Sequence, residues 1–307
     1  MFPSRRRLLM VGVAVSAVII ASLAYNYLPP VMARPGREPT LTLHRDATGQ
    51  VERIPFEEYI AGVVAAEVDP TWPAQVLAAQ AIVARTFTWE RVRRGGVRAL
   101  HGTDVCDDPQ HMQAYDPTRV NDAIRRAVRD TRGLIILYKG RPVRAYFHAS
   151  SGGRTAEPWE GLGIRRPALP YLRSVEDPGV KEDRWEAKFE LAELVEAVGK
   201  LAEPPSQARR VRVTRRGPSG RAVTIAVDGV EVPAHELRLA LGPERMRSTL
   251  LTDIRCDGNQ VVIRGRGFGH GVGLSQEGAK AMAEQGSTAE EIIGHFYQGV
   301  RFFRLWQ

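Results

Sequence analysis

The pattern of apolar positions between residues 55 and 94 predicts two consecutive helices. From Ile60 to Val64 the apolar residues recur at helical spacing, and Glu67 falls on the same stripe. Pro55 and the two acids after it suit a first turn, and Asp69-Pro70 ends the helix. A second helix begins after Trp72-Pro73 and runs to about residue 94, where two glycines follow.

The remaining pattern alternates between short strands and helices, which predicts the α+β class. We expect a mixed helical and β domain over residues 40–307, with a substrate cleft and a smaller β-rich insert at about 185–260. A helix capped by Thr118 and a last helix with a capping box of Ser287 and Glu290 are predicted from local signals. The predicted strands cover residues 41–43, 51–54, 134–138, 142–148, 209–232 and 300–306, and a further helix covers 191–201.

The N-terminal segment reads as a membrane anchor. Three arginines at positions 5–7 precede an uncharged run from Leu8 to Leu28, which is long enough to span a bilayer. The arginines predict that residues 1–7 stay cytoplasmic and that the domain after a linker at 29–39 is extracytoplasmic. A cleaved signal peptide is the alternative, but the run is long and lacks a clear cleavage site. We therefore expect a single-pass protein of the cell membrane.

Charge and cysteine content narrow the partners. The chain of 307 residues carries a formal net charge of +8, which favours an anionic lipid, an anionic wall polymer or nucleic acid. No basic block is interleaved with aromatic residues, so we expect no nucleic-acid partner. The insert holds much of the positive charge. Cys106 and Cys256 are the two cysteines, and the sequence does not decide whether they pair.

Glu67 is the candidate for acid–base chemistry. A carboxyl group on an apolar stripe and in the last helical turn meets two effects that disfavour its ionised form, burial and the negative end of the helix dipole. A carboxylic acid that stays protonated near neutral pH suits a general acid. The alternatives are a solvated side chain or an ion pair with Arg85 in the next helix.

Two segments rich in small residues are candidates for ligand contact. They are His148 to Thr155 and Gly265 to Met282, where glycine or serine permits close approach of the backbone. The serines lack a strand-to-helix nucleophile elbow, so we expect them to contact substrate rather than to attack it. The glycine spacing in the second segment lacks the strand-helix-strand unit of a dinucleotide fold. A plain surface turn is the alternative for the first segment.

The loop from His101 to Tyr115 contains three residues of metal-ligand type, His101, Cys106 and His111. With a fourth donor from elsewhere they could hold zinc, and three nearby aspartates offer oxygen atoms. A merely polar loop is the alternative. A metal-dependent hydrolase built on these residues is therefore a further hypothesis.

Six blocks in a fixed order carry a resemblance to a known family. They are EEYIAGVVAAE (57–67), LAAQAIVARTF (77–87), CDDPQHMQAY (106–115), AYFHASSGGRT (145–155), PYLRSVEDP (170–178) and GRGFGHGVGLSQEGAKAMAEQG (265–286). Together they resemble the stage II sporulation protein D family, which includes related amidase enhancers. The blocks span nearly all of the predicted exported part.

The resemblance implies a peptidoglycan lytic transglycosylase that cleaves between N-acetylmuramic acid (MurNAc) and N-acetylglucosamine (GlcNAc). It implies Glu67 as the catalytic acid, because Glu67 closes the first block. The candidate substrate contacts in the other blocks are Arg85, Gln113, Tyr115, Tyr146, His148, Ser150, Ser151, Gly152, Gly153, His270 and Ser275. A non-catalytic amidase enhancer is the main alternative.

The resemblance also implies a cofactor and partners. Some members hold zinc in the loop that matches His101, Cys106 and His111, but Met112 stands where a second cysteine ligand would be. A thioether is a poor zinc ligand beside a thiolate. The implied setting is engulfment during endospore formation. The implied partners are glycan strands, a peptidoglycan amidase and a polytopic membrane protein.

Overall fold

The computed structural model describes residues 36–165, 169–178 and 183–307. The helices are α1 (Phe56–Glu67), α2 (Ala74–Arg93), α3 (Arg98–His101), α4 (Asp122–Asp130), α5 (Pro158–Gly161), α6 (Leu191–Gly199), α7 (Ala234–Leu241), α8 (Gln276–Glu284) and α9 (Ala289–Phe296). A 3₁₀ turn covers Pro117–Arg119. The strands are β1 (Thr40–His44), β2 (Val51–Pro55), β3 (Val105–Cys106), β4 (Leu134–Tyr138), β5 (Arg141–Pro142), β6 (Phe147–His148), β7 (Arg184–Glu190), β8 (Val211–Arg216), β9 (Ala222–Val227), β10 (Val230–Pro233), β11 (Leu251–Asp257), β12 (Gln260–Arg266), β13 (Leu274–Ser275) and β14 (Arg301–Arg304).

Several small sheets flank the helices, so the predicted α+β class is confirmed. The strand orders are β2-β1-β3, β14-β4-β5, β13-β6, β10-β9-β8 and β11-β12-β7. The pairings are antiparallel except β1 with β3 and β13 with β6. The two parallel pairs join segments that are distant in sequence, and both lie beside candidate functional residues.

Three apolar cores organise the described residues. The first surrounds α1, with Phe56, Tyr59 and Ile60 fully buried, and the second lies between the other side of α2 and α9. The third is built by residues between 185 and 263, from the sheets β10-β9-β8 and β11-β12-β7 and from helices α6 and α7. Helix α2 contributes side chains to both of the first two cores, so it is the element on which the main body is assembled.

Local signals placed several element ends incorrectly. Thr118 caps no helix, because Asn121 accepts a hydrogen bond from the Ile124 N–H and begins α4. The capping box of α9 is formed by Thr288 and Glu291, one residue later than predicted. The predicted strand at 142–148 is two short strands, since β5 ends at Pro142 and β6 begins at Phe147.

None of the helices in the described ranges is both long and apolar enough to cross a membrane. The predicted anchor at 8–28 lies outside the described residues, as does most of the predicted linker.

Candidate catalytic site around Glu67

Glu67 is the last residue of α1, and its carboxyl group faces the loop that follows β3. Its Oε1 accepts a hydrogen bond of 2.9 Å from the Ala114 backbone N–H. The side chain is half-buried, and burial raises the pKa of Glu67 to about 7, although the Ala114 N–H acts in the opposite direction. The group therefore exchanges a proton near neutral pH, as a residue that is first acid and then base requires.

The loop is held against α1 by close contact at Gly62. A methyl group at Gly62 would lie 2.3 Å from Cε2 of Tyr115, so only glycine lets the ring approach the helix. The Asp116 N–H also donates to the Gly62 carbonyl at 3.0 Å. Tyr115 stacks on buried Tyr59 with ring centroids 5.3 Å apart, and the Arg45 guanidinium lies 4.8 Å from the Tyr115 ring centroid. These contacts fix the backbone that carries Ala114.

Arg85 does not pair with Glu67. Its Nη2 donates to Glu57 Oε2 at 2.7 Å, and its Nε also donates to Glu57. Glu57 Oε1 further accepts from Trp306 Nε1 and from the Gly133 N–H. Arg85 is 0 % exposed, so the prediction that it contacts substrate is wrong: its guanidinium holds the first core together.

Gln113 connects the loop to α2. Its Nε2 donates to Thr88 Oγ1 at 2.9 Å, while its buried Oε1 has no partner among the described residues. Gln113 is 3 % exposed, so it positions the loop, and the expectation that its side chain lies open to a substrate is corrected. One residue further along the loop is Ala114, the hydrogen-bond donor to Glu67.

Helix α2 also reaches the glycine-rich segment. Gln276, at the start of α8, donates from Nε2 to Oε1 of buried Gln80 at 3.4 Å. The Lys280 ammonium lies 5.0 Å from the ring centroid of Trp72, which precedes α2. Helix α2 thus lies between the loop that contacts Glu67 and the helix that follows the glycine-rich segment.

The two segments rich in small residues run side by side. Strand β13 pairs in parallel with β6, which sets Leu274 opposite Phe147 and Ser275 opposite His148. Gly273 adopts a φ of +77°, and a Cβ there would lie 2.0 Å from the Tyr146 carbonyl oxygen. The small residues therefore permit close backbone approach, as expected from the sequence, and the two backbones that approach each other are those of the two segments.

Two histidines lie at this junction in neutral form. His148 Nδ1 donates to the Val272 carbonyl at 3.2 Å, and His270 Nδ1 accepts from the Val272 N–H at 3.0 Å. Burial lowers the pKa of His148 well below its usual range and the pKa of His270 to about 3. His148 is only 5 % exposed, whereas His270 and Tyr146 are partly exposed.

The serines have structural partners. Ser151 Oγ donates to the Asp177 carboxylate, and Ser275 Oγ caps α8 by accepting from the Gly278 N–H. Ser151 and Ser275 are 0 % exposed and Ser150 is 2 % exposed, so the prediction that their hydroxyl groups contact substrate is wrong. Gly152 and Gly153 retain accessible surface.

Sequence reasoning missed Asp177 and Arg221 as organising residues. Arg221 is fully buried and donates to the carbonyls of Ser151 at 2.7 Å and Arg154 at 2.8 Å. Its guanidinium packs so closely on Gly271 that a Cβ there would lie 2.4 Å away. The position of Asp177 in the fifth block was the one sequence signal for it. No sequence signal distinguished Arg221 from the exposed arginines that precede it.

The predicted metal ligands lie together. One donor atom each from His101, Cys106 and His111 lies within 4.8 Å of the others, and His101 Nε2 is 3.2 Å from His111 Nδ1. Two nitrogen ligands on one tetrahedral zinc are about 3.3 Å apart, so the donor set fits zinc. These residues would hold the ion as three ligands, and it would tie the loop to β3.

The fourth position is not filled by Met112. Met112 is 6 % exposed and packs in the first apolar core. Asp108 Oδ2 lies 3.3 Å from His111 Nδ1 and is a candidate oxygen ligand for that position. Both Cys106 and Cys256 are free thiols.

Comparison with known proteins places these residues in a family. A model described as stage II sporulation protein matches residues 44–138, and one described as a domain of unknown function (DUF8618) matches 167–273. The chain is 26 % identical over 292 residues to the amidase enhancer of Bacillus subtilis (strain 168), covering 78 % of this chain and 39 % of that protein.

Greater similarity is found to two sporulation proteins. Identity to stage II sporulation protein D of Bacillus amyloliquefaciens is 32 % over 287 residues, covering 86 % of this chain and 81 % of that protein. Identity to the protein of the same name from Bacillus subtilis (strain 168) is 32 % over 278 residues, covering 85 % and 78 %. Since the similarity extends over most of both chains, the protein belongs to the stage II sporulation protein D family.

Proposed function

We propose that the protein is a membrane-anchored lytic transglycosylase that cleaves MurNAc–GlcNAc bonds in peptidoglycan and leaves a 1,6-anhydroMurNAc end. The observation that carries the proposal is the state of Glu67: a half-buried carboxyl group with a pKa of about 7 and no cation partner among the described residues. Family membership connects the chain to sporulation and the cell wall. The proposed setting is septal wall remodelling and engulfment.

One carboxyl group is sufficient for this chemistry. Protonated Glu67 donates its proton to the glycosidic oxygen, which leaves with the bonding electron pair as the C1–O bond breaks. The C6 hydroxyl of the same MurNAc then bonds to C1, and the Glu67 carboxylate accepts the hydroxyl proton. No water is consumed, so the second carboxylate of an ordinary glycosidase is not required.

We propose that the glycan lies in a cleft between the Glu67 loop and the glycine-rich segment. Tyr115, Tyr146, His270 and Gly152 are partly exposed, and Gly153 is exposed. Aromatic faces and backbone polar groups are the contacts that sugar rings favour. The charge of +8 suits a wall that carries anionic groups.

The proposed partners and location follow from the family setting. We propose that the chain acts together with a peptidoglycan amidase and a polytopic membrane protein of the engulfment machinery. The segment 8–28 would anchor it in the cell membrane with the catalytic domain outside.

A non-catalytic amidase enhancer is the second candidate, favoured by the similarity to the amidase enhancer of Bacillus subtilis. Such a protein would bind wall and stimulate an amidase without using Glu67. Substitution of Glu67 should abolish glycan cleavage by a transglycosylase, whereas it should leave the stimulation of an amidase by an enhancer unchanged.

The test compares Glu67→Gln with Glu58→Gln, which changes an exposed acid of the same helix. The full chain in detergent is incubated with purified wall, alone and with a purified peptidoglycan amidase. We expect wild type and Glu58→Gln to release anhydromuropeptides without the amidase, and Glu67→Gln to release none. If wild type releases none and all three stimulate the amidase equally, the enhancer function replaces the proposal.

A further inference from the structure

Positive charge is concentrated on strand β8 and on the two residues that precede it. Between residues 209 and 221 the chain has six arginines and no acidic residue. Arg221 is buried, whereas the other five are exposed. We call these five the basic row; its members are Arg209, Arg210, Arg212, Arg215 and Arg216.

The strand geometry aligns part of the basic row on one face. In the described residues β8 pairs with β9 alone, with Arg212 opposite Ala226 and Arg215 opposite Thr224. Ala226 and Thr224 are two residues apart on β9, so their partners face the same side of the sheet. The register shift between Val213 and Arg215 is the irregularity that permits this alignment.

The one carboxylate that contacts the basic row within the described part of the chain is that of Asp228, which accepts from the backbone N–H groups of Arg209 and Arg210 and not from a guanidinium. None of its five guanidinium groups forms an ion pair there. Other arginines of the same core do form ion pairs. Arg264 pairs with Glu186 at 2.6 Å, Arg245 pairs with Glu193, and Arg255 pairs with Asp253. Arginines elsewhere in this core therefore have carboxylate partners, whereas the guanidinium groups along β8 have none among the described residues.

The turn that follows the basic row is bound to the main body of the protein. Glu160 in α5 accepts from the Ser219 N–H at 3.0 Å and from its hydroxyl at 2.8 Å, and both groups are buried. Arg221 then fastens the same turn to the His148–Thr155 segment. The strand that carries the row thus ends in a turn bound to the main body, so a ligand held there would be held close to the rest of the protein.

We propose that the basic row is a docking site for a linear phosphodiester polymer of the cell wall. Guanidinium groups bind phosphate oxygens in bidentate geometry, and several of them along one strand suit a ligand that repeats its charge. Release of counterions from such a polymer adds a salt-dependent contribution to affinity. This inference is independent of the chemistry proposed for Glu67.

The surroundings of the basic row favour a soluble chain over a lipid surface or nucleic acid. The large hydrophobic side chains exposed in the described residues are Val51, Leu100 and Leu239, and none lies on β8 to enter a bilayer. The ring of Trp159 lies 5.9 Å from the Arg215 guanidinium, and residues 209–216 include no aromatic side chain on which successive bases could stack.

The experiment measures co-sedimentation of the full chain in detergent with purified walls. One wall sample is intact, and in the other the phosphodiester polymers have been removed with hydrofluoric acid. The variant R212Q/R215Q/R216Q is compared with R125Q/R126Q/R129Q, which removes the same charge from exposed positions of α4. Circular dichroism and the thermal midpoint establish that both variants are folded.

We expect the β8 variant to bind intact walls about tenfold more weakly than wild type, and the slope of log Kd against log salt to fall by about 2–3. The α4 variant should remain close to wild type, and all three proteins should bind the stripped walls equally weakly. Equal losses in the two variants, or undiminished wild-type binding to stripped walls, would overturn the proposal. A loss of affinity for anionic vesicles in place of walls would assign the row to a lipid surface and would overturn it too.

Discussion

Arg85 donates to Glu57 at 2.7 Å and leaves Glu67 without a cation among the described residues. Helix α1 offers a carboxylate in its first turn and another in its last turn, and the buried guanidinium of Arg85 takes the one in the first turn. This choice separates a structural ion pair from a carboxyl group that remains available for proton transfer. It also settles the alternative, left open by the sequence, that Arg85 neutralises Glu67.

Arg85→Met should destabilise the protein strongly. It leaves Glu57 buried at 7 % exposure with its charge uncompensated, and breaking a buried ion pair in this way costs about 3–5 kcal/mol. Chemical denaturation should show this loss of unfolding free energy. Arg125→Met, at an exposed position of α4, should change it by less than about 0.5 kcal/mol. Equal effects of the two substitutions would show that the pair is unimportant.

The raised pKa of Glu67 makes stability depend on pH in a defined direction. The folded-state pKa of about 7 exceeds the ordinary value of 4.5, so the folded protein holds this proton more tightly than the unfolded chain. Stability is therefore greatest below pH 4.5 for this group and falls as the pH rises toward 7 and above.

Ionisation of the half-buried Glu67 carboxyl group lowers the free energy of unfolding, and the amide of Glu67→Gln does not ionise. We expect the variant to match wild type near pH 4 and to be more stable at pH 8, by up to about 3 kcal/mol. Urea unfolding at a series of pH values measures the difference. If the difference does not change with pH, the carboxyl group is solvated and its pKa is ordinary.

Gly62 and Gly294 form a matched pair of helical glycines with opposite expected effects. A methyl group at Gly62 meets the Tyr115 ring, so Gly62→Ala should lose about 1–3 kcal/mol and displace the loop that contacts Glu67. At Gly294 in α9 nothing lies within 4 Å, and Gly294→Ala should gain about 0.5–1 kcal/mol. Thermal unfolding measures both, and a stabilising Gly62→Ala would contradict the described contact.

Zinc affinity should respond to residue 112. With ligands from His101, Cys106 and His111 alone the site is incomplete, and Met112→Cys supplies a thiolate next to His111. Competition with a chromophoric chelator should show about tenfold tighter binding or more for this variant. Met112→Ala also removes the thioether but adds no ligand, and should bind zinc as wild type does. Equal affinities for the Cys and Ala variants would contradict this arrangement.

Local sequence signals located the main helices and the candidate acid but not their partners. Helix α1 and its final Glu67 follow from apolar spacing and a terminating Asp-Pro, which act within a few residues. Arg85 pairs with Glu57 across 28 positions of the chain, and Arg221 binds Ser151 of the His148–Thr155 segment across 70 positions. The serines failed as ligands because burial is set by the packing of distant segments, which a loop composition does not reveal.

The most direct test of the account is mass spectrometry of products from peptide-stripped wall glycan, digested by the full chain in water enriched in heavy oxygen. Because the C6 hydroxyl is the nucleophile, the new ends should carry no heavy oxygen and should be lighter than hydrolysis products by one water. Glu67→Gln should release no such product, while Glu58→Gln should behave as wild type. Labelled reducing ends, or unchanged product from Glu67→Gln, would contradict the proposed mechanism.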